Sequence, residues 1–231
     1  MSKVGRREVL GSSALTLSAA TFADAAAQAP NLLAGKSCVI LGPEGPLARA
    51  IIDGLAAAGA RTTRLYPDAV TEDAYQAALE TGPTRPTTID VVIALAYPNV
   101  PGGIGTVTPA DFRRGMEESY VRTYLAMKYG TRILRASGGG AFITVTSSAG
   151  KQARRESATA AAASAGIMHM TRCAALECAG KEDNVRVNAV LIDGLNDTAL
   201  TAAANTLSFL AGDAAVYFTA QMIAVDAGDV F

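Results

Sequence analysis

The 231-residue sequence predicts an α/β domain with a doubly wound parallel sheet of six strands. Three observations predict it. Short runs that are apolar along their whole length alternate with helical patterns, the mark of strands buried on both faces. Gly42-Pro43-Glu44-Gly45-Pro46-Leu47-Ala48 lies between the first such run and the first helix, where a turn must reverse the chain. Ala is abundant on the helices, which suits close helix-on-sheet packing.

The elements follow in order. Residues 37–41 form the first strand and 45–58 a helix that stops at Gly59. A second strand covers 62–66, and one helix fits 71–80 before Gly82-Pro83 and Pro86 interrupt the chain. The third strand covers 91–95. Thr108-Pro109-Ala110-Asp111 then supplies a cap, a proline in the first turn and an acidic residue for a helix running to about Ala136. Gly138-Gly139-Gly140 ends it. A fourth strand at 141–146 leads through a polar loop to a long Ala-rich helix over 157–179. The fifth strand spans 185–191, a helix lies near 200–211, and a last strand covers 222–225.

The first 29 residues read separately from the domain, which spans 30–231. Arg6-Arg7 precedes Val9-Leu10 and an uncharged stretch to Phe22, and small-residue cleavage patterns follow at Ala23-Asp24-Ala25 and Ala27-Gln28-Ala29. This pattern resembles a twin-arginine export signal and predicts a periplasmic protein. No later stretch is apolar for the roughly 18 residues a membrane span needs.

Twenty Lys+Arg against 21 Asp+Glu give a formal charge of −1, and there is no Trp. That balance lacks the basic footprint of a nucleic-acid binder. The three cysteines, Cys38, Cys173 and Cys178, read as small buried residues with no metal-ligand spacing. His169 is the only histidine and reads as packed or at an interface. No metal is expected.

Several segments together resemble the short-chain dehydrogenase/reductase family. They are Leu33-Ala34-Gly35-Lys36, the helix ending Leu-Ala-Ala-Ala-Gly-Ala at Ala60, residues 143–150, Met170-Thr171-Arg172, Val185-Arg186-Val187-Asn188-Ala189-Val190, and the tail from Phe209 to Gly228. The resemblance implies a Rossmann-like fold, NAD(P), and a catalytic Ser, Tyr and Lys with an Asn behind them. In that chemistry the Tyr hydroxyl is the proton donor and the Lys cation lowers its pKa.

At the matching positions this chain keeps only Ser147, or its neighbour Ser148. The Tyr position is Ala160, the Lys position Ser164 and the Asn position Ser119. Tyr124 and Lys128 have the Tyr-x-x-x-Lys spacing but precede the Ser strand, so they read as surface and core residues of their helix. In the first loop the family's Gly-x-x-x-Gly-x-Gly reads as Gly42 and Gly45 with one residue fewer, and Leu47 falls where the last glycine belongs. Leu47 is therefore expected to obstruct the pyrophosphate, and Pro43 and Pro46 each remove an N–H. Tyr66 occupies the position where the family reads the ribose. Positions 67–89 have room for one helix, so the family's usual third strand is expected to be absent. After the fifth strand its substrate loop is cut to a few residues.

These departures predict a non-catalytic member that serves as a binding or assembly subunit, as a homo-oligomer or within a periplasmic complex. No cofactor is expected, or NAD(P) if any. The competing readings are an active NAD(P)-dependent oxidoreductase with a rearranged site, and a binder of a small ligand in the old crevice.

Overall fold

The computed structural model describes residues 31–83, 87–97, 100–180 and 183–226. The expected export signal lies outside the described residues. Six parallel strands form one sheet: β1 (Ser37–Leu41), β2 (Arg61–Leu65), β3 (Val91–Leu95), β4 (Gly140–Ser147), β5 (Val185–Ile192) and β6 (Met222–Val225). Their order is β2-β1-β3-β4-β5-β6. The order reverses at β1, and β2 is an edge with no further strand beyond it among the described residues, as the shortened 67–89 segment predicts.

Side chains alternate across each strand, so one strand serves two cores. Cys38 and Ile40 of β1 face a cluster completed by α1 (Pro46–Ala57) and α6 (Asp197–Ala211), through Ile51, Leu55, Ala203 and Leu207. Val39 and Leu41 face the other cluster, which takes Tyr75 from α2 (Glu72–Gln76) and Leu125, Tyr129 and Leu134 from α4 (Arg122–Ala136). α5 (Ala158–Glu177) lies on the same face. Burial of β1, β3, β4 and β5 is nearly complete, whereas the edge strands β2 and β6 stay partly exposed.

Capping matches local chemistry. Thr108 accepts from Asp111 N at 3.1 Å and Pro109 opens α3 (Pro109–Met116), while Asn196 accepts from Ala199 N at 2.9 Å to start α6. α6 thus begins earlier than its apolar pattern suggests, leaving only Asp193 to Asn196 as the link from β5.

The long helix from Pro109 is not regular. Between α3 and α4 the chain makes a π turn over Glu117–Val121, and a second π turn, Ala77–Thr81, extends α2. Such turns insert an extra residue into the helical ladder and re-aim the side chains beside it. Here the re-aimed residues are Glu118 and Ser119.

The expectation that all three cysteines are buried needs correction. Cys38 and Cys178 are buried, but Cys173 is exposed, and all three are free. His169 is likewise exposed on α5. Both project from the outer face of α5, Cys173 beside a groove between α4 and α5.

Candidate functional site

In a doubly wound sheet ligands bind beyond the carboxyl ends of the strands where the order reverses, here between β1 and β3. Leu41 ends β1 there with Gly42 and Pro43 after it, Ala94 and Leu95 end β3 with Tyr97 beyond, and Tyr66 follows β2. Together with Tyr75, Val100 and the α3–α4 segment they enclose a cavity of about 270 Å³.

Gly45 is the residue before α1, in extended backbone, and Pro46 is the first helical residue. Leu47, only 7% exposed, is turned into the core with Ile40 and Ile51. The expected obstruction by Leu47 is therefore not there. Counting the Gly-x-x-x-Gly-x-Gly spacing from Gly42 reaches position 48 without a deletion, and buried Ala48 supplies the small side chain. A different residue crowds the loop. A Cβ on Gly42 would lie 2.6 Å from the Leu95 Cβ, so Leu95 packs directly over the glycine's open face. Glu44, exposed at the loop tip, pairs with Arg49 at 3.5 Å.

The wall contributed by the π turn is electrostatic. Arg122 donates from Nε to Glu118 Oε2 at 2.7 Å and from Nη1 to Pro67 O at 2.9 Å, and its guanidinium lies 4.5 Å over the Tyr66 ring. Tyr66 in turn donates its O–H to Glu118 at 3.2 Å. The hydrogen bonds from Arg122 hold the Glu118 carboxyl below its ordinary range, so it stays ionised. Burial raises the Tyr66 hydroxyl. At the rim, Arg114 pairs with Asp111 at 2.6 Å.

The positions of the expected proton-transfer groups lie further along, near the end of β4. Ser147 Oγ accepts from Ala149 N at 3.2 Å, capping the 3₁₀ turn Ser148–Gly150. Ser164 is fully buried. Thr146 Oγ1 is hydrogen-bonded both to Ser164 Oγ at 2.9 Å and to Ala96 O at 3.1 Å. A Cβ on Gly150 would come within 2.7 Å of Ser164, so the loop after β4 sits tightly on α5 there. Ala160 is half-buried one turn earlier. Ser119, buried in the π turn, donates its hydroxyl to Gly115 O inside its own helix. Of these positions Ser119 lines the cavity; the hydroxyls of Ser119, Ser147 and Ser164 are each engaged in local backbone or side-chain contacts, and Ala160 has none to offer.

Tyr124 and Lys128 stand elsewhere. Lys128 pairs with Glu72 at 2.7 Å across α2 and α4, and Tyr124 is half exposed on the outer surface. Among the described residues no group of His, Cys, Asp and Glu could hold a metal, and no helix is long and apolar enough to cross a membrane.

The residues that sequence reasoning missed are Glu118, Arg122, Arg114, Leu95 and Val100. Tyr66 and Glu118 are 52 positions apart, and no local pattern announces that they meet. A π turn has no composition signature comparable to a cap or a proline.

A family model described as enoyl-(acyl carrier protein) reductase matches residues 23–207 of this chain. A cis-4-hydroxycyclohexanecarboxylate dehydrogenase of Sinomonas cyclohexanicum is 28% identical over 219 residues, 83% of this chain and 86% of that protein. A short-chain type dehydrogenase/reductase from Mycobacterium ulcerans is similar in structure with a TM-score of 0.76 at 20% identity, over 85% of this chain and 90% of its own. A 3-ketoacyl-(acyl-carrier-protein) reductase from Brucella melitensis, complexed with NADH, gives 0.76 at 18% identity, over 86% and 100%.

Proposed function

The chain belongs to the short-chain dehydrogenase/reductase family, and from that premise we propose that it is a non-catalytic member, a binding or assembly subunit built on an oxidoreductase fold. One observation carries the proposal. At the position where the family sets a lysine, Ser164 is fully buried and hydrogen-bonded to Thr146, under a loop that leaves no space for a longer side chain. One turn earlier the tyrosine position offers the methyl of Ala160. General acid catalysis contributes ~10² to 10⁴-fold; Ala160 has no proton to donate, and the neutral Ser164 hydroxyl supplies no cation to lower a donor's pKa.

A dinucleotide fits the residues poorly. Leu95 covers Gly42, Pro43 and Pro46 lack N–H donors, and the exposed carboxylate of Glu44 adds a like charge beside the expected pyrophosphate. No step through NAD(P) is derived on this chain. The retained Ser147 and the dehydrogenase name of the 28% identical relative favour a second reading, an active NAD(P)-dependent oxidoreductase with a rearranged site. The 270 Å³ cavity favours a third, a small-ligand binder.

Calorimetric titration of the protein with NADH and NADPH separates these. Weak or absent binding, with no turnover of alcohols or ketones, is expected. The double substitution Ala160→Tyr with Ser164→Lys is expected to remain inactive and to melt at lower temperature, since the ammonium would be buried without a partner. Copurifying nicotinamide, or alcohol oxidation at an ordinary rate by the unaltered protein, would overturn the non-catalytic reading.

The proposal extends to place and partners. Arg6-Arg7 directs the chain through the twin-arginine route to the periplasm, and α5 is the surface through which it assembles with a second copy or another subunit.

A further inference from the structure

We infer that the cavity at the ends of β1 and β3 takes a small ring-borne carboxylate, cyclic or aromatic, rather than a nucleotide. This deepens the small-ligand reading above and rests on it.

Size comes first. At about 270 Å³ the cavity falls just under the range of about 300–1,000 Å³ that holds drug-sized molecules, so one ring with a substituent is the scale that fits. Ala94, Leu95, Val100 and the Tyr97 ring give the cavity an apolar side, opposite the Glu118–Arg122 wall.

Charge decides the substituent. Arg122, Glu118 and Arg114 are the charged lining residues, so among the described residues the lining carries one net positive charge. Arg122 is committed. Its side chain is 11% exposed, and Glu118, Pro67 O and the Tyr66 ring occupy its guanidinium. Glu118 is committed to the same partners. Arg114 differs, because its ion pair with Asp111 uses Nη2 and its side chain is 64% exposed at the rim. A guanidinium has five N–H donors in a fixed fork, so with Nη2 engaged by Asp111 the Nε and Nη1 hydrogens are left to donate to a carboxylate. A chamber with an apolar side and an exposed guanidinium at its rim matches a ring inside and a carboxylate outside. A nucleotide would bring at least two charges and would need the space over Gly42 that Leu95 fills.

Calorimetry with benzoate and with cyclohexanecarboxylate tests this on the full chain, against benzyl alcohol and AMP as controls. Saturable binding of a carboxylate is expected, with benzyl alcohol and AMP binding far more weakly. Arg114→Gln should weaken binding about tenfold or more without changing the melting temperature, because the side chain is a rim group. Val100→Phe, which fills the chamber and leaves Arg114 in place, should abolish it.

Absence of saturable carboxylate binding, equal binding by both variants, or benzyl alcohol or AMP binding as tightly as benzoate would each overturn the inference. Failure of the non-catalytic reading shows elsewhere. A chain that binds benzoate in the Arg114-dependent way and also turns over NADH keeps the ligand class and loses that reading.

Discussion

Cys38 and Cys173 show how far apart one sequence can hold two identical side chains. Burial pushes the Cys38 thiol from 9.0 up to about 12, with the Asp90 charge adding to the rise. The folded state therefore holds that proton more tightly than the unfolded chain. The resulting stabilisation is complete below pH 9 and is lost as pH rises through the interval to about 12. Thiolate is the reactive form, so at pH 8 a maleimide should modify exposed Cys173 in the native protein and spare Cys38 until denaturant is added. Mass spectrometry of labelled peptides reads this directly. Rapid native labelling of Cys38 would show that the β1 core opens more readily than its burial implies. Ser147 and Ser164 show no such contrast: both are buried, Ser147 capping its own turn and Ser164 packed under Gly150.

At the scale of elements, α5 is held to its own domain by two close approaches. A Cβ on Gly166 would lie 2.6 Å from the Tyr120 ring, and one on Gly115 would lie 2.5 Å from Thr159 Cγ2. These contacts lock the π turn onto the inner face of α5. Among the described residues the outer face has no such cover. Ala162, His169 and Cys173 are exposed there, and Leu176 is 77% exposed. Small side chains allow another helix to approach closely, and an uncovered leucine gives that approach apolar area to bury. Replacing Ala162 by Arg should lower the assembled mass in sedimentation velocity while the melting temperature changes little, since the residue faces solvent in the single chain. A strictly monomeric unaltered protein with no copurifying subunit would remove the assembly role from α5.

For the whole molecule, a six-stranded sheet with two exposed edges must avoid pairing with other sheets. The β2 edge carries exposed Arg61 and Arg64, charges that discourage strand addition. Arg64 also donates to Gly42 O at 3.1 Å, tying the edge to the loop after β1. A domain closed on both faces in this way is suited to a translocation route that accepts folded cargo. Changing Arg6 and Arg7 together to Lys should abolish periplasmic accumulation, measured by fractionation. Unchanged accumulation would remove the twin-arginine route from the proposal.

The sequence by itself determined the strands and their parallel class, because apolar runs and their spacing by helices report burial directly. Val91–Leu95 and Met222–Val225 have the bounds that their patterns predict. Positions 147, 160 and 164 come from the family resemblance alone. What the sequence could not determine was which way a side chain turns at a junction between elements. Leu47 reads as an obstruction in the loop and is a core residue, while Leu95, unremarkable at a strand end, covers Gly42. The Tyr66–Glu118–Arg122 wall likewise joins β2 to a π turn more than 50 positions away. Burial periodicity is a property of the local chain and survives in one dimension. Cavity shape and charge pairing depend on where the helices settle over the sheet, and only tertiary packing decides that.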